Sequence, residues 1–378
     1  MPDSSTKSDS AYLAEALALA AQGVGQTSPN PAVGCVLVRD GAVVGRGFHT
    51  WAGVDHAETI ALREAGSSAR GATAYVTLEP CSHQGRTGPC ADALIAAGVA
   101  RVVVAMEDPN PRVAGSGLAR LRAAGIAVEL HQAFASAAEK LNSAFAHFMR
   151  TGRPLVMVKA AVTLDGKIAA QEDNTGWITS ERARALVQQQ RHEHDAILTG
   201  IGTVVADNCY LTDRSGLPRS RPLLRMVLDS LLRISLESNL VKTAQSDLLV
   251  VTTSAAARDR RAALEKRGIE VVTLDGPGGR TNLPAVVDLL AERKYLSLMI
   301  EAGSGVNWSA LETGIADKIF FYYAPKILGG LKSMPVAGGA GMKRRVDAIQ
   351  MCNVEVHPIP PNEFAVEAWV VKDVHGNR

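Results

Sequence analysis

The sequence predicts an α/β protein of two domains, and three observations support this. The chain has 378 residues, more than one ordinary compact domain holds. Strand-like and helix-like segments alternate in each half, a pattern typical of partly parallel sheets that helices cover on both faces. A basic stretch with Gly152 and Pro154 follows a long helical segment, and the alternation restarts beyond it. We therefore predict one domain over residues 1–150 and a second over residues 151–378.

The elements of the first half follow from apolar spacing and turn residues. Two apolar runs flank Asp40-Gly41, which is a strong signal for a β-hairpin. Gly66 is a natural C-cap for the helix before it. In order, the segments predict a helix at 11–22, strands at 32–38 and 42–48, a helix at 56–66, a strand at 72–78, a helix at 89–99, a strand at 101–106, a helix at 117–125, a strand at 126–130 and a helix at 133–149.

The second half shows the same alternation and ends differently. The tail, residues 354–359 and 364–371, predicts two antiparallel strands. Before it, the segments predict a helix at 180–191 and strands at 154–164, 195–200, 223–229, 247–253, 270–274, 295–303 and 318–325, with helices between several of them.

Composition and charge exclude several classes of protein. The 40 basic and 38 acidic residues give a net charge of +2, too small a field to favour nucleic acid or an anionic membrane as partner. The sequence lacks an apolar run of transmembrane length, and its first residues lack the pattern of a signal peptide. Five sparse cysteines fit a reducing, cytoplasmic compartment. Large α/β enzymes are commonly homo-oligomers, so we expect one here.

A metal-binding pattern lies in the first half. His56, Cys81 and Cys90 are ligand types that leave a fourth tetrahedral position open for water, as a catalytic zinc ion requires. Glu58, two residues after His56, is placed to move protons without binding the metal. This His/Cys/Cys set with its H-x-E motif is the signature of nucleobase deaminases. Eight residues separate the cysteines instead of two, which gives a longer loop for substrate contacts through residues such as Ser82, His83, Arg86 and Thr87.

Two other interpretations of this pattern stay open on the residues alone. The cysteines are also plausible as small core residues, and His56 as a residue at a helix start. A structural zinc site, stabilising an interaction module without catalysis, would need a fourth ligand such as Cys35 or His83.

The second half offers weaker motifs. Residues 338–341 are Gly-rich, but a short run of this kind is weak evidence. Residues 159–169 end a strand at the sharp turn Asp165-Gly166. Residues 300–311 predict a strand, a turn of small residues and a helix, which suits either an anion site at the helix N-terminus or an ordinary tight connection.

The segments PNPAVGCVLV, GFHTWAGVDHAE and TLEPCSHQGRTGPC resemble the deaminase half of the bifunctional RibD family of riboflavin biosynthesis. The resemblance implies a cytidine-deaminase-like three-layer α/β/α domain. It also implies one zinc ion. The implied substrate is a small phosphorylated pyrimidine, a diaminopyrimidinone that carries a ribosylamino 5-phosphate. Asn30 and His49 match positions that contact this substrate in the family. An alternative is a nucleoside or tRNA deaminase with a C-terminal binding domain. The loop between the cysteines and the balanced charge argue against that alternative.

The segments KAAVTLDGK, TGWITS, DAILTGIGTVVAD, LTDR and EAGSGVN resemble the reductase half of the same family. The resemblance implies a dihydrofolate-reductase-like α/β domain that uses NADPH to reduce the ribosyl chain to ribityl. It implies cofactor contacts for Ala161, Trp177, Thr203, Asp207, Ser230, Gly303, Ser304, Gly305 and Val306. It implies substrate contacts for Lys159, Thr175, Arg191, Leu211, Arg214 and Glu301. Arginine forks suit phosphate oxygens, which fits Arg191 and Arg214.

One stretch departs from the family. Asn208 and Cys209 stand where it usually has Asp and Pro, within a loop expected to line the cofactor site. We therefore expect reductase activity with a changed cofactor affinity.

Overall fold

The computed structural model describes residues 8–50, 55–84, 88–111, 113–172 and 175–372. The chain forms two compact units. Unit 1 comprises Met1–Gly152 with Pro218–Arg221, and unit 2 comprises Arg153–Leu217 with Pro222–Arg378. Within the described residues, the longest apolar helices are too short or too polar to cross a lipid bilayer.

Unit 1 is built on one mixed sheet. The strands lie in the order β2-β1-β3-β4-β5, with β1 antiparallel to both of its neighbours and β3, β4 and β5 parallel. Its elements are α1 (Asp9–Gln22), β1 (Gly34–Arg39), β2 (Ala42–Phe48), α2 (Ala57–Ala65), β3 (Thr73–Val76), α3 (Cys90–Ala97), β4 (Arg101–Val104), α4 (Ser116–Ala123), β5 (Ala127–Leu130), α5 (Ala135–Leu141) and α6 (Ser143–Thr151).

The alternation of side chains along β1 explains why helices cover both faces of this sheet. Cys35 and Leu37 point to one face, where they pack against residues of α2, α3 and α4. Val36 and Val38 point to the other face, where they pack against α1 and α5. The result is a three-layer α/β/α arrangement. The hairpin predicted at Asp40-Gly41 is confirmed by the pairing of β1 with β2.

The single helix predicted over residues 133–149 is wrong. A 3₁₀ turn (Gln132–Phe134) leads into α5, and α5 and α6 are separated at Asn142. The Asn142 side chain accepts a hydrogen bond from the Ala32 N–H at 2.8 Å and donates one to the Ala32 carbonyl at 2.9 Å. Because these bonds join a residue to a segment 110 positions away, helical spacing alone does not indicate the break.

Unit 2 contains a long, mostly parallel sheet in the order β11-β10-β9-β8-β12-β6-β13-β16-β15. Strands from β11 to β13 run parallel, and the predicted antiparallel tail is confirmed by the pairs β13–β16 and β15–β16. The elements are β6 (Leu155–Thr163), β7 (Lys167–Ala169), α7 (Glu181–Glu193), β8 (Ala196–Gly200), α8 (Ile201–Asp207), β9 (Leu224–Leu228), α9 (Asn239–Lys242), β10 (Leu248–Thr252), α10 (Arg258–Glu265), β11 (Glu270–Thr273), α11 (Leu283–Glu292), β12 (Ser297–Ile300), α12 (Ser304–Glu312), β13 (Lys318–Ala324), β14 (Met334–Pro335), β15 (Met351–Ile359) and β16 (Glu363–Val370).

The core of unit 2 lies on both faces of the central parallel strands. Along β6, Val156 and Val158 belong to one apolar cluster and Met157 to the other. Parallel strands place their carboxyl ends at one edge, where α/β proteins commonly bind ligands. Lys159 of β6 and Glu301, directly after β12, lie toward that edge.

Candidate functional site

His56, Cys81 and Cys90 come together in unit 1. The His56 Nδ1 atom lies 3.1 Å from Cys90 Sγ and 3.6 Å from Cys81 Sγ. Zinc bonds of about 2.1 Å to nitrogen and 2.3 Å to sulfur, at tetrahedral angles, separate such ligand atoms by about 3.6 Å. The spacing and the donor types therefore fit a zinc ion.

Two helix starts position these ligands. His56 immediately precedes α2, and Cys90 is the first residue of α3. The α2 helix packs very close to β2 at Gly47. A Cβ atom added at Gly47 would lie only 2.1 Å from the Ala57 carbonyl oxygen. Only glycine permits this approach, so the packing of α2 on β2 fixes where His56 points.

The two cysteines are held relative to each other by the backbone. The Cys90 N–H donates to Cys81 Sγ at 3.3 Å. Hydrogen bonds from the Cys90 thiol and from His56 lower the pKa of the Cys81 thiol. The thiolate is the form that binds metal, so the local geometry favours ligation.

A fourth protein ligand is not found among the described residues. In unit 1, the described His, Cys and carboxylate ligand atoms that lie within 4.8 Å of one another belong to His56, Cys81 and Cys90. Cys35 is fully buried in the sheet, and burial raises its thiol pKa. Three protein ligands match the arrangement of a catalytic zinc site, which keeps one position open.

Glu58 lies in the first turn of α2, and its carboxyl group is buried against the three ligands. Burial raises the pKa of this carboxyl group to about 7. A hydrogen bond with the Cys90 thiol acts in the opposite direction. The carboxylate thus faces the place where the metal belongs.

Asn30 and His49, both predicted to contact substrate, lie next to the predicted zinc ligand His56. The Asn30 Nδ2 atom lies 3.2 Å from His49 Nε2, and His49 Nδ1 lies 3.0 Å from the Asp55 carbonyl oxygen. The His49 ring meets the His56 ring edge to face at 5.3 Å. Burial lowers the His49 pKa, which favours the neutral form of its ring.

The loop between the cysteines is described in part. Ser82 and His83 border a small cavity beside Cys81. Arg86 and Thr87, which we expected to contact substrate, lie outside the described residues. Sequence reasoning missed Glu79, whose buried carboxylate borders the same cavity. Its place directly before Pro80-Cys81 was the available signal.

In unit 2, Lys159, Arg191 and Glu301 form one ion cluster. The Lys159 ammonium lies 3.2 Å from Glu301 Oε1. Arg191 donates to both carboxylate oxygens of Glu301, from Nη2 to Oε1 at 2.9 Å and from Nε to Oε2 at 3.1 Å. Its Nη1 donates to the Thr212 carbonyl oxygen at 3.0 Å, which ties the cluster to the residue after Leu211.

A second group of predicted residues meets at the start of α12. Gly303 lies close to Thr203, since a Cβ atom added at Gly303 would lie 3.7 Å from Thr203 Oγ1. The Val306 side chain packs against the backbone of Gly200. The Ser304 hydroxyl is buried and has no hydrogen-bond partner among the described residues. An unsatisfied buried hydroxyl beside free helix N–H groups fits the polar part of a bound cofactor.

The other predicted residues of unit 2 are more scattered. Ala161 lies on β6, Thr175 is exposed and Leu211 is buried with a positive φ of 52°. The Trp177 ring is mostly exposed and lies under the Arg184 guanidinium. Among the described residues, no hydrogen bond or ion pair joins the side chains of Trp177, Asp207, Ser230 and Arg214 to the ion cluster or to the residues at the start of α12.

The departure at Asn208 has a local explanation. Asn208 ends α8 in the left-handed conformation, with φ 42° and ψ 47°, which asparagine tolerates better than most residues. Its Oδ1 accepts from the Asn239 N–H at 2.8 Å, and Asn239 Nδ2 donates to the Asn208 carbonyl at 2.7 Å. Asn208 therefore fixes the loop after α8 against α9.

Two family models match the chain, one in each half. Residues 6–106 match the cytidine and deoxycytidylate deaminase zinc-binding region, and residues 154–359 match the RibD C-terminal domain.

Similar proteins match nearly the whole chain. The riboflavin biosynthesis protein RibD of Escherichia coli is 42% identical over 369 residues, covering 94% of this chain and 97% of the relative. The RibD of Actinobacillus pleuropneumoniae is 41% identical, covering 92% and 91%. The solved structure of Acinetobacter baumannii RibD, form 1, has a TM-score of 0.85 at 36% identity, covering 96% of this chain and 99% of that one.

A solved Thermotoga maritima structure, a diaminohydroxyphosphoribosylaminopyrimidine deaminase/5-amino-6-(5-phosphoribosylamino)uracil reductase, has a TM-score of 0.79 at 32% identity. It covers 96% of this chain and 99% of that one. These likenesses confirm the predicted fold class, a cytidine-deaminase-like domain followed by a dihydrofolate-reductase-like domain. They do not favour the alternative of a nucleoside or tRNA deaminase with a binding domain.

Proposed function

Because this chain belongs to the RibD family of riboflavin biosynthesis proteins, we propose that it is a bifunctional enzyme with zinc-dependent deaminase and NADPH-dependent reductase activities. The first activity removes an amino group from a diaminohydroxyphosphoribosylaminopyrimidine, and the second reduces the ribosyl chain of the product to ribityl. The observation that carries the proposal is the His56–Cys81–Cys90 donor set, open at one position and faced by buried Glu58.

We assign deamination to unit 1, with one zinc ion per chain held by the three ligands. A zinc ion held by these residues would supply hydroxide near neutral pH, since it lowers the pKa of bound water to about 7. The reaction consumes one water, forms a C–O bond at the ring carbon and breaks the C–N bond to release ammonia. The Glu58 carboxylate accepts one proton from the water and passes it to the ring nitrogen. As the C–O bond becomes a carbonyl, Glu58 takes the remaining hydroxyl proton and delivers it to the amine, which departs as ammonia.

Asn30 and His49 are proposed to orient the pyrimidine. The Asn30 side chain presents an amide donor and acceptor beside the zinc ligands, and its hydrogen bond with His49 fixes its direction. The His49 ring, whose Nδ1 lies 3.0 Å from the Asp55 carbonyl oxygen, holds that arrangement.

We assign reduction to unit 2, with NADPH as hydride donor. The N-terminal turn of α12, Gly303 to Val306, holds the anionic part of the cofactor, since helix N-termini favour phosphate. Further cofactor contacts are proposed for Ala161, Trp177, Thr203, Asp207 and Ser230. The substrate side is formed by Lys159, Thr175, Arg191, Leu211, Arg214 and Glu301.

Separate assays test the two activities. Glu58→Ala should retain zinc and fold while ammonia release falls by at least about a hundredfold, the usual size of a general acid–base contribution. Unchanged ammonia release in this variant would overturn the deaminase assignment. For unit 2, NADPH oxidation should require the deaminated product, and folded protein without such oxidation would overturn the reductase assignment.

Three further points belong to the proposal. Metal analysis should give one zinc per chain. None of the five cysteines, all among the described residues, forms a disulfide, which supports a reducing compartment such as the cytoplasm, and cell fractionation tests this. We also propose a homo-oligomer, to be tested by light scattering on the purified chain.

A further inference from the structure

Glu79 carries an unusual number of backbone hydrogen bonds. Its carboxylate is buried and lies directly before Pro80 and the zinc ligand Cys81. Oε1 accepts from the N–H groups of Gly117 at 2.7 Å and Leu118 at 3.3 Å. Oε2 accepts from Asp108 at 3.0 Å and Gly115 at 2.9 Å. One side chain thus holds both ends of the connection between β4 and α4.

The Oε1 bonds cap α4 from a distant part of the chain. The residue before α4 is Gly115, which has no side chain to satisfy the first N–H groups of the helix. Glu79, 38 positions before Gly117, supplies those acceptors. A carboxylate at this end also interacts favourably with the helix dipole.

The start of α4 packs against Pro80, which directly precedes Cys81 in the segment between β3 and α3. A Cβ at Gly117 would lie 2.0 Å from the Pro80 carbonyl oxygen, so only glycine fits there. The start of α4 therefore has a fixed position relative to Pro80 and Cys81.

The connection held by Glu79 borders the zinc centre. Asp108 and Ser116 line the same cavity as Cys81, Ser82 and His83. The Ser116 hydroxyl lies 2.7 Å from the Ser82 hydroxyl, which joins the connection to the loop between the two cysteines. This wall of the site is thus built from backbone that depends on one carboxylate.

We propose that Glu79 is a positioning residue for deamination: it holds the β4–α4 connection as a wall of the substrate site, without touching the zinc or the reacting atoms. The inference rests on the proposed deaminase function. A positioning role of this kind affects substrate binding more than the chemical step, since the zinc ligands and Glu58 stay in place.

The test is the variant Glu79→Gln, assayed as the full chain loaded with zinc. Glutamine has the same shape, but its NH₂ group faces two N–H donors in either orientation. We expect zinc content to stay at the wild-type value, KM for the pyrimidine to rise about tenfold or more and kcat to change less than about threefold. NADPH oxidation by unit 2 should be unchanged.

A matched control separates positioning from general loosening of α4. Leu121→Ala removes a buried side chain of α4 and leaves every Glu79 hydrogen bond intact. It should lower the thermal midpoint at least as much as Glu79→Gln while KM stays near the wild-type value. An equal KM rise in both variants, or an unchanged KM in Glu79→Gln, would overturn the proposal.

A second variant covers the case in which Glu79→Gln does not fold. Ser116→Ala removes the bond to Ser82 at the surface of the wall and should raise KM about threefold, the size of one weak hydrogen bond. An unchanged KM for Ser116→Ala would then overturn the proposal. Absence of ammonia release from the wild-type enzyme would instead reject the deaminase function itself, so the two failures are distinguishable.

Discussion

The Lys159 ammonium lies 3.2 Å from a carboxylate oxygen of Glu301, although 142 positions separate the two residues in the sequence. Arg191 completes the cluster with two donors to the same carboxylate. Burial lowers the pKa of Lys159 and Glu301 acts against this, so each charge depends on its partners. The cluster therefore links the stability of unit 2 to the state of its proposed substrate site.

Glu301→Gln should destabilise unit 2 in a pH-dependent way. Burial alone would raise the Glu301 pKa, but the charges of Lys159 and Arg191 hold it at about 2, below its ordinary 4.5. A lowered carboxyl pKa contributes stability that is fully present above about pH 4.5 and is lost as the pH falls toward 2. The contribution reaches about 3 kcal/mol near neutral pH and falls by about 2 kcal/mol between pH 6 and pH 3.

Urea unfolding of wild type and Glu301→Gln at both pH values measures this effect. Taking the difference between the two proteins cancels the titration of other carboxyl groups. A difference that stays constant from pH 6 to pH 3 would contradict the ion-cluster explanation. Reductase activity of the variant should also fall.

Removing zinc should abolish only one of the two proposed activities. Dialysis against a chelator is expected to stop ammonia release, while NADPH oxidation with the deaminated product continues, because Lys159, Arg191 and Glu301 bind no metal. Adding zinc back should restore ammonia release. Purified Cys81→Ser should contain no zinc, whereas purified Cys352→Ser, which changes an exposed cysteine, should contain as much zinc as the wild type. Full deaminase activity in metal-free protein would contradict the proposal.

Asn142→Ala should destabilise unit 1 by about 2 kcal/mol, since it leaves the buried Ala32 N–H and carbonyl without their partner. For a unit of this size, we expect the thermal midpoint to fall by several degrees. Asn142→Asp keeps the acceptor but turns a buried carboxylate oxygen toward the Ala32 carbonyl oxygen, so its midpoint should fall at least as far as that of Asn142→Ala. Equal midpoints for Asn142→Ala and wild type would show that the bonds do not hold the break between α5 and α6.

Asn208 allows backbone conformation and side-chain bonding to be separated. Asn208→Ala should cost about 2 kcal/mol, from a strained left-handed residue and a lost hydrogen bond to Asn239. Asn208→Gly removes only the hydrogen bond and should cost about 1 kcal/mol. The midpoint of the thermal unfolding transition of unit 2, measured for both variants, checks which variant is the less stable. If Gly is as destabilising as Ala, the left-handed conformation is not the reason for asparagine here.

The proximity of the three predicted zinc ligands was predictable because each lies at a boundary that the sequence marks. His56 and Cys90 stand at helix starts, and Cys81 follows the end of a strand. Helix starts and strand ends are local features, which short-range sequence patterns describe well. The hairpin at Asp40-Gly41 was predictable for the same reason.

Other features depend on contacts that short-range patterns do not carry. The break at Asn142 and the capping of α4 by Glu79 both join residues far apart in the sequence. Asparagine and glutamate are common in many settings, and only the folded backbone brings their partners within reach. The short pair β7–β14 is of the same kind, because β14 contributes only Met334–Pro335.

The place of β6 in its sheet has a consequence for how the chain is made. This strand opens unit 2, yet its neighbours on either side are β12 and β13, which are synthesised near the end of the chain. A ribosome therefore exposes the apolar residues of β6 well before their partners emerge. Sheets of such high contact order fold slowly and pass through aggregation-prone states. We expect unit 1 to fold during translation and unit 2 only after residue 324 has left the exit tunnel, with chaperone dependence concentrated in that interval.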